Sequence, residues 1–422
     1  MHKKIDQCRI CGSQELVEIL NLGEQALTGV FPKSRAQHVP IGPLELVKCA
    51  DGCGLVQLRH SYDADQMYGD NYGYRSGLNN SMVQHLHHRV EQARSLVQLN
   101  AGDIVLDIGS NDSTTLRAYG DNGYRLIGID PSGSKFREYY PDYAILVPDF
   151  FNRATFKNQF GDDKAKIVTS IAMFYDLDNP TEFMRDVYDC LDKEGIWVFE
   201  QSYLPLMIER NAYDTVCHEH VSYYALKQIK WMADQVGFKI LDVELNDTNG
   251  GSFCVTVAKS GSKHVANENK VAALLQREED EGYNSWPVYD DFRDRVFMHR
   301  DDLKSLLRRL IAEGSSVCGY GASTKGNVVL QFCDITSKEI AGIAEVNQEK
   351  YGAFTPFNYI PIASEADIKA GNPDYMMVLP WHFRDNILKR EQAYLAAGGN
   401  LIFPLPELEI VYGKAVASRI AA

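Results

Sequence analysis

Four cysteines fall in two close pairs near the start of the chain, Cys8-x2-Cys11 and Cys49-x3-Cys53. Four thiolates can surround one zinc ion tetrahedrally, and short loops hold each pair at ligand distance. A glycine follows the second thiol of each pair, Gly12 and Gly54, and lets the backbone turn tightly into a knuckle. The gap between the pairs is longer than in common zinc fingers, so four free, half-buried thiols are the competing reading. The expectation is a structural Zn2+ held by Cys8, Cys11, Cys49 and Cys53. A site with four protein ligands is closed and does no chemistry.

At 422 residues the chain is long enough for two or three domains. Its net charge of −14 argues against a zinc domain that docks on nucleic acid, where a basic footprint is expected. The other five cysteines are scattered singly, which is no disulfide framework and suits a reducing compartment. The first residues lack the apolar core of a signal peptide, and no apolar run approaches membrane-spanning length. A cytoplasmic protein without a membrane partner is expected.

Three blocks follow one another. Residues 1 to about 60 hold the cysteines and short strand-like runs such as 16–20. A polar, aromatic connector, 68–77, leads to an amphipathic helix predicted over 79–99. Strand signals at 104–108, 125–129, 167–173 and 196–201 then alternate with helical stretches, the rhythm of parallel strands with crossover helices. A hairpin is expected from 239–244 and 252–259 around Asn249-Gly250-Gly251. After a polar helical stretch from about 264 to 312, a second α/β run extends from Ser316 to near Tyr412.

Leu106-Asp107-Ile108-Gly109-Ser110-Asn111 is an apolar strand that ends in an acid and a glycine turn. Such a turn lets a ligand approach the backbone at the carboxyl edge of a sheet. The dinucleotide pattern G-x-G-x-x-G is absent. Asp130 ends the next strand, where an acid can accept from ribose hydroxyls. Asp149 and Phe150 after a third strand could cover an adenine, the acid taking its amino group and the ring its face. The set resembles class I methyltransferases that bind S-adenosylmethionine (SAM), with an NAD-type turn or a merely tight loop as alternatives.

Cys217-His218-Glu219-His220-Val221-Ser222-Tyr223-Tyr224 is dense in ionisable and aromatic groups. A metal site and a structural network are open readings. Proton transfer is favoured, because histidine's basicity suits neutral pH and a carboxylate can fix its tautomer. The second glycine turn, Gly319-Tyr320-Gly321-Ala322-Ser323-Thr324-Lys325-Gly326-Asn327, again follows a strand and opens a helix. Its amides, Ser323 and Lys325 would make a diphosphate cradle, while an NAD site is the alternative. Glu345 ends the following strand, where a ribose acid would lie. Trp381-His382-Phe383-Arg384 either lines the same cleft or is structural.

In this order, the cysteine quartet, the Tyr-x-Tyr-x-Ser connector, Leu-Asp-Ile-Gly-Ser-Asn, His-Glu-His-x-x-Tyr-Tyr, Asn-Gly-Gly-Ser and Gly-Tyr-Gly-Ala-Ser-x-Lys-Gly-Asn resemble, nearly end to end, the zinc-containing sugar-nucleotide C-methyltransferases. The resemblance implies an α/β multidomain chain. A zinc-binding domain would cover 1–66, a Rossmann-like class I SAM methyltransferase domain 67–265, and a Rossmann-like sugar-nucleotide-binding domain 266–422. It implies methylation at C-3 of a 4-keto-6-deoxyhexose carried on a nucleoside diphosphate, dTDP in the usual case, by a monomer or small homo-oligomer. A sugar O-methyltransferase and a non-catalytic homologue are the alternatives.

The family base matches His220, with Glu219 as its orienter and Tyr72 or Tyr74 as a donor near the methyl or the enolate oxygen. The family usually has a tyrosine where this chain has Cys217 and a histidine where it has Tyr175. Tyr175, Tyr223 and His218 are therefore candidate substitutes. Asp107, Gly109, Ser110, Asn111, Asp130, Asp149 and Phe150 are expected at the cofactor. Tyr224, Tyr320, Ser323, Lys325, Asn327 and Glu345 are expected at the sugar nucleotide.

Overall fold

The computed structural model describes residues 2–63, 67 and 74–414. Its centre is a seven-stranded sheet. The run Ile-Val-Leu-Asp-Ile forms the wholly buried strand Ile104–Ile108, the continuous apolar pattern of a parallel strand covered on both faces. On one side of it lie Arg125–Ile129 and Ala144–Val147, and on the other Ala165–Ile171 and Leu191–Ser202, all parallel. The hairpin of Phe238–Asn246 and Ser252–Lys259 closes that side antiparallel. Every strand and the hairpin expected from the sequence is present, with ends shifted by a few residues. The helix Asn80–Leu96 starts where Asn79 accepts from the Ser81 N–H.

The third unit is a six-stranded sheet. Ile362–Ser364, Ile343–Glu345, Val317–Tyr320, Tyr375–Val378 and Asn400–Phe403 run parallel, with Glu409–Val411 antiparallel at the edge. The helix Pro287–Ala312 buries Tyr289, Phe292, Val296, Leu303, Leu307 and Leu310, a stripe at helical spacing. The helix before it, Glu268–Asp280, packs on the central unit instead. Its Glu278 accepts from the Leu226 and Lys227 N–H groups and from the Tyr203 hydroxyl.

The amino-terminal sheet was not foreseen in full. Leu16–Ala26, Ile41–Cys49 and Val56–Leu58 come from the cysteine block, but the edge strand is Ser222–Tyr223, from the segment carrying His220. The Leu58 N–H also donates to the Val221 carbonyl at 2.9 Å. One apolar core joins Leu20, Leu44 and Leu46 of this sheet to Tyr213 and Val216, and on to Val317 and Val328 of the third unit. Among the described residues no helix is long and apolar enough to cross a membrane.

Candidate functional site

The cysteine block is built around four sulfurs. Cys8 and Cys53 lie 3.6 Å apart, Cys11 and Cys49 3.5 Å, and all four are mutually within 4.8 Å. A zinc ion with bonds of about 2.3 Å needs sulfurs about 3.8 Å apart at the corners of a tetrahedron. Gly12 and Gly54 have φ of +74° and +75°, the left-handed turn each knuckle requires. A side chain at Gly52 would collide with Cys11 and Cys49. The donor set and its spacing fit one closed zinc site. Arg9, between the first two cysteines, fastens the knuckle to the sheet. Its guanidinium donates to the Leu58 carbonyl and the Ser61 hydroxyl, and it pairs with Asp178 at 3.1 Å.

A cavity of about 300 Å³ opens at the carboxyl ends of the central parallel strands. Asp107 and Gly109 lie on its wall. Asp107 accepts from the Thr169 hydroxyl at 2.5 Å, and burial pushes its carboxyl up to about 7. Asp130 also faces the cavity. One of its oxygens accepts from the Asn111 N–H, the other from the Ser132 N–H and hydroxyl. Ser110 bonds the Tyr140 hydroxyl at 2.7 Å. Asn111 holds the end of the connector, taking the Ser76 N–H and giving a bond to the Tyr74 carbonyl. Phe150 lines the cavity, half exposed, but Asp149 does not. Asp149 is exposed, and its carboxylate is turned to the Phe150 N–H.

In the segment after the fifth central strand, the His220 Nδ1 lies 2.9 Å from the Thr215 carbonyl. A carbonyl only accepts, so Nδ1 carries the proton and Nε2 keeps its lone pair. Thr215, which sequence reasoning missed, fixes this tautomer in place of Glu219. The Tyr175 ring lies 4.1 Å from the imidazole, centroid to centroid. Burial, then the charge of Lys325, pushes His220 down to about 3, so the ring is neutral. Burial raises Glu219 to about 7, and the Cys217 thiol donates to it at 3.8 Å. A Cys217 sulfur, a Glu219 oxygen and a His220 nitrogen lie within 4.8 Å of one another. His218 turns the other way: Nε2 bonds the Gly42 carbonyl and the ring stacks edge-on against Tyr62 at 4.7 Å. It serves the contact with the amino-terminal sheet and also lines the second cavity described below, its Nδ1 without a hydrogen-bond partner among the described residues. Tyr72 lies outside the described residues.

A second cavity, of about 530 Å³, is walled by all three units. Residues 27–31 of the amino-terminal unit, Glu219 and the turn 320–324 face it. A Cβ at Gly29 would lie 2.6 Å from the Glu219 carboxylate and would push that carboxylate aside. Tyr320, Ser323 and Glu345 line this cavity. The Tyr320 hydroxyl donates to Glu391, Ser323 caps the helix Thr324–Phe332, and Glu345 accepts the N–H groups of Ala322, Val346 and Asn347. Lys350, Arg75 and Arg390, none of them a site residue in the sequence reading, are cations on this wall, and the Lys350 ammonium lies 4.3 Å from the Phe31 ring centre.

Three expected substrate residues lie elsewhere. Lys325 is drawn off the wall to the hairpin tip, where Nζ donates to the Asn249 carbonyl at 2.5 Å. Burial lowers it while Asp214 and Cys217 oppose that. Asn327 is fully buried and ties its helix to the Thr28 carbonyl at 2.8 Å. Tyr224 is fully buried against Phe174, in the core. Trp381 donates to buried Asp214 at 2.7 Å, a structural bond, while Phe383 reaches the second cavity. Tyr74 borders both cavities, so the two meet at the connector.

Comparison with known proteins agrees with this build. Residues 8–68 match a family model described as "Putative zinc binding domain", 82–243 one described as "Methyltransferase domain", and 247–406 one described as "C-methyltransferase C-terminal domain". The chain is 29% identical over 417 residues to the C-methyltransferase NovU of Streptomyces niveus, covering 97% of each. Among solved structures it is similar to the 1,6-didemethyltoxoflavin-N1-methyltransferase of Burkholderia thailandensis, at 10% identity and a TM-score of 0.33 over 44% of this chain and 82% of that one. It is also similar to the mitomycin 7-O-methyltransferase MmcR, at 12% and 0.34 over 43% and 55%. Those two likenesses are too distant to add anything. The three matched modules, the four-sulfur site and the cofactor cleft make the chain a SAM-dependent C-methyltransferase with a zinc-binding domain.

Proposed function

We propose that the enzyme methylates C-3 of a 4-keto-6-deoxyhexose carried on dTDP, for branched deoxysugar synthesis in the cytoplasm, as a monomer or small homo-oligomer. One observation carries the reading: a neutral imidazole, held through Nδ1 by the Thr215 carbonyl, adjoins residues of both cavities. Its neighbour Glu219 lines the second cavity, and Tyr175, stacked on it, lies between Met173 and Asp176 of the first. We divide the chain into zinc-binding, SAM-binding and sugar-nucleotide-binding units at about 1–66, 67–265 and 266–422. The packing of Glu268–Asp280 moves the second divide toward 282.

Bound SAM supplies an electrophilic methyl group. The cavity at Asp107, Gly109 and Asp130 takes the cofactor, with Asp130 at its ribose and Phe150 against its base. The cavity at Tyr320, Ser323, Glu345 and Lys350 takes the sugar nucleotide. His220 removes the proton from C-3 through Nε2, and Thr215 retains the proton on Nδ1. Glu219 balances the imidazolium as it forms, and Tyr74 stands where the two ligands meet.

Incubation with dTDP-4-keto-6-deoxyglucose and SAM labelled with 13C in the methyl group tests this. The label should appear as a carbon-bound methyl at C-3. An oxygen-bound methyl would make the protein a sugar O-methyltransferase, and no product with any nucleotide-linked keto sugar would end the reading.

A pH profile tests the role of Glu219. Its carboxyl, raised to about 7 by burial, loses its charge as pH falls through that value, and the counter-charge to the imidazolium goes with it. His220 stays neutral well below that pH. The kcat/KM profile should therefore show an acid limb near pH 7, which Glu219→Gln flattens at a lower rate. A limb that survives in the variant would belong to another group.

A further inference from the structure

Gln201 is 1% exposed and lines the first cavity, yet neither its Nε2 nor its Oε1 has a partner among the described residues. A buried amide left unbonded loses its hydration with no return, and such groups in a folded protein ask for an explanation. Its neighbour Glu200 shows the contrast. Glu200, on the same wall, is hydrogen-bonded to His85 at 2.6 Å and Asn246 at 3.0 Å and ion-paired with Arg89 at 2.9 Å.

Gln201 lies at the carboxyl end of Leu191–Ser202, opposite Phe253 in the antiparallel register. Around it on the wall are Ser202, Thr248, Asn249 and Ser252. Asn249 is the residue whose carbonyl holds Lys325, and the charge of Lys325 bears on His220. This end of the cavity is therefore the one tied to the proposed base. Asp130 and Phe150 mark the other, nucleoside end.

We propose that Gln201 is a catalytic residue that grips the sugar, its Nε2–H donating to O-4 and its Oε1 accepting from the polar substituent on C-3. This rests on the keto-sugar reading above. When His220 takes the C-3 proton, the C–H electron pair becomes the C-3=C-4 bond and the carbonyl pair moves onto O-4. The amide N–H meets that negative oxygen without reorganising. As C-3 attacks, its pair forms the bond to the methyl carbon, the carbonyl re-forms, and the S–CH3 pair leaves on sulfur. The single amide thus reads both the ketone and the C-3 group, which makes it a specificity determinant as well.

Two variants of the full-length, zinc-loaded enzyme test this. Gln201→Met keeps length and removes both polar ends. Gln201→Glu keeps shape and an acceptor but sets a negative charge against the enolate. With dTDP-4-keto-6-deoxyglucose, both methyl transfer and solvent deuterium exchange at C-3 should fall about 100- to 1,000-fold in each variant. SAM affinity by calorimetry should stay within about twofold for Gln201→Met, and its melting temperature should not drop, because apolar atoms replace unbonded polar ones. Rates near wild type in either variant would overturn the proposal. A parallel loss of SAM affinity in Gln201→Met would also overturn it and give the amide to the cofactor. A wild-type enzyme that does not act on keto sugars removes the functional reading, and this inference falls with it. A wild-type enzyme that does act, beside unimpaired variants, removes the inference alone.

Discussion

His220→Asn should leave SAM and sugar-nucleotide binding within a few-fold of wild type while methyl transfer falls on the order of 100-fold or more. Asparagine keeps a polar side chain that can still reach toward the Thr215 carbonyl, but it has no basic nitrogen to take a proton from carbon. The Nδ1–carbonyl bond of 2.9 Å leaves Nε2 as the basic atom in the wild type. Steady-state kinetics beside calorimetry separates the two effects. Full activity in the variant would move the base to another group, with Tyr175, stacked on the same ring, the next candidate. His218, which lines the second cavity and has only Nε2 committed to the Gly42 carbonyl, is the other.

Removing zinc should abolish catalysis although the metal takes no part in it. Binding by a structural four-ligand site is worth about 10–16 kcal/mol in zinc-finger peptides and is coupled to folding there, so metal loss should unfold the knuckles. The sheet they support ends in Ser222–Tyr223, two residues past His220, and Leu58 bonds the Val221 carbonyl between them. The base is thus positioned in part by the zinc domain. Cys53→Ser, or a strong chelator, should release one equivalent of zinc per chain and remove activity and ordered amino-terminal structure together. Metal-free protein that stays folded and active would contradict this coupling.

That link was not legible in the sequence, where Ser222 and Tyr223 lie far from the cysteines in the chain. The central strands were legible because runs such as Ile104–Ile108 are apolar throughout, which marks a strand buried on both faces. The knuckles were legible because ligand type and short spacing together restrict what they can hold. Which residues of the second glycine turn would face the ligand was not. Successive helix residues point about 100° apart, so Thr324 reaches the cavity, Lys325 the hairpin and Asn327 the amino-terminal unit. Only the docking of three units decides which direction meets substrate. Gln201 did leave a trace, as a polar residue closing the apolar run Ile196-Trp197-Val198-Phe199 at the ligand edge of a parallel strand.

The central claim is that the enzyme makes an enolate at the carbon it methylates. The most direct measurement is deuterium wash-in from solvent at C-3 of dTDP-4-keto-6-deoxyglucose, followed by NMR with S-adenosylhomocysteine in place of SAM. Exchange by the wild type and its loss in His220→Asn is the predicted result. Methyl transfer to C-3 with no wild-type exchange under any condition, or exchange undiminished in His220→Asn, would contradict the claim.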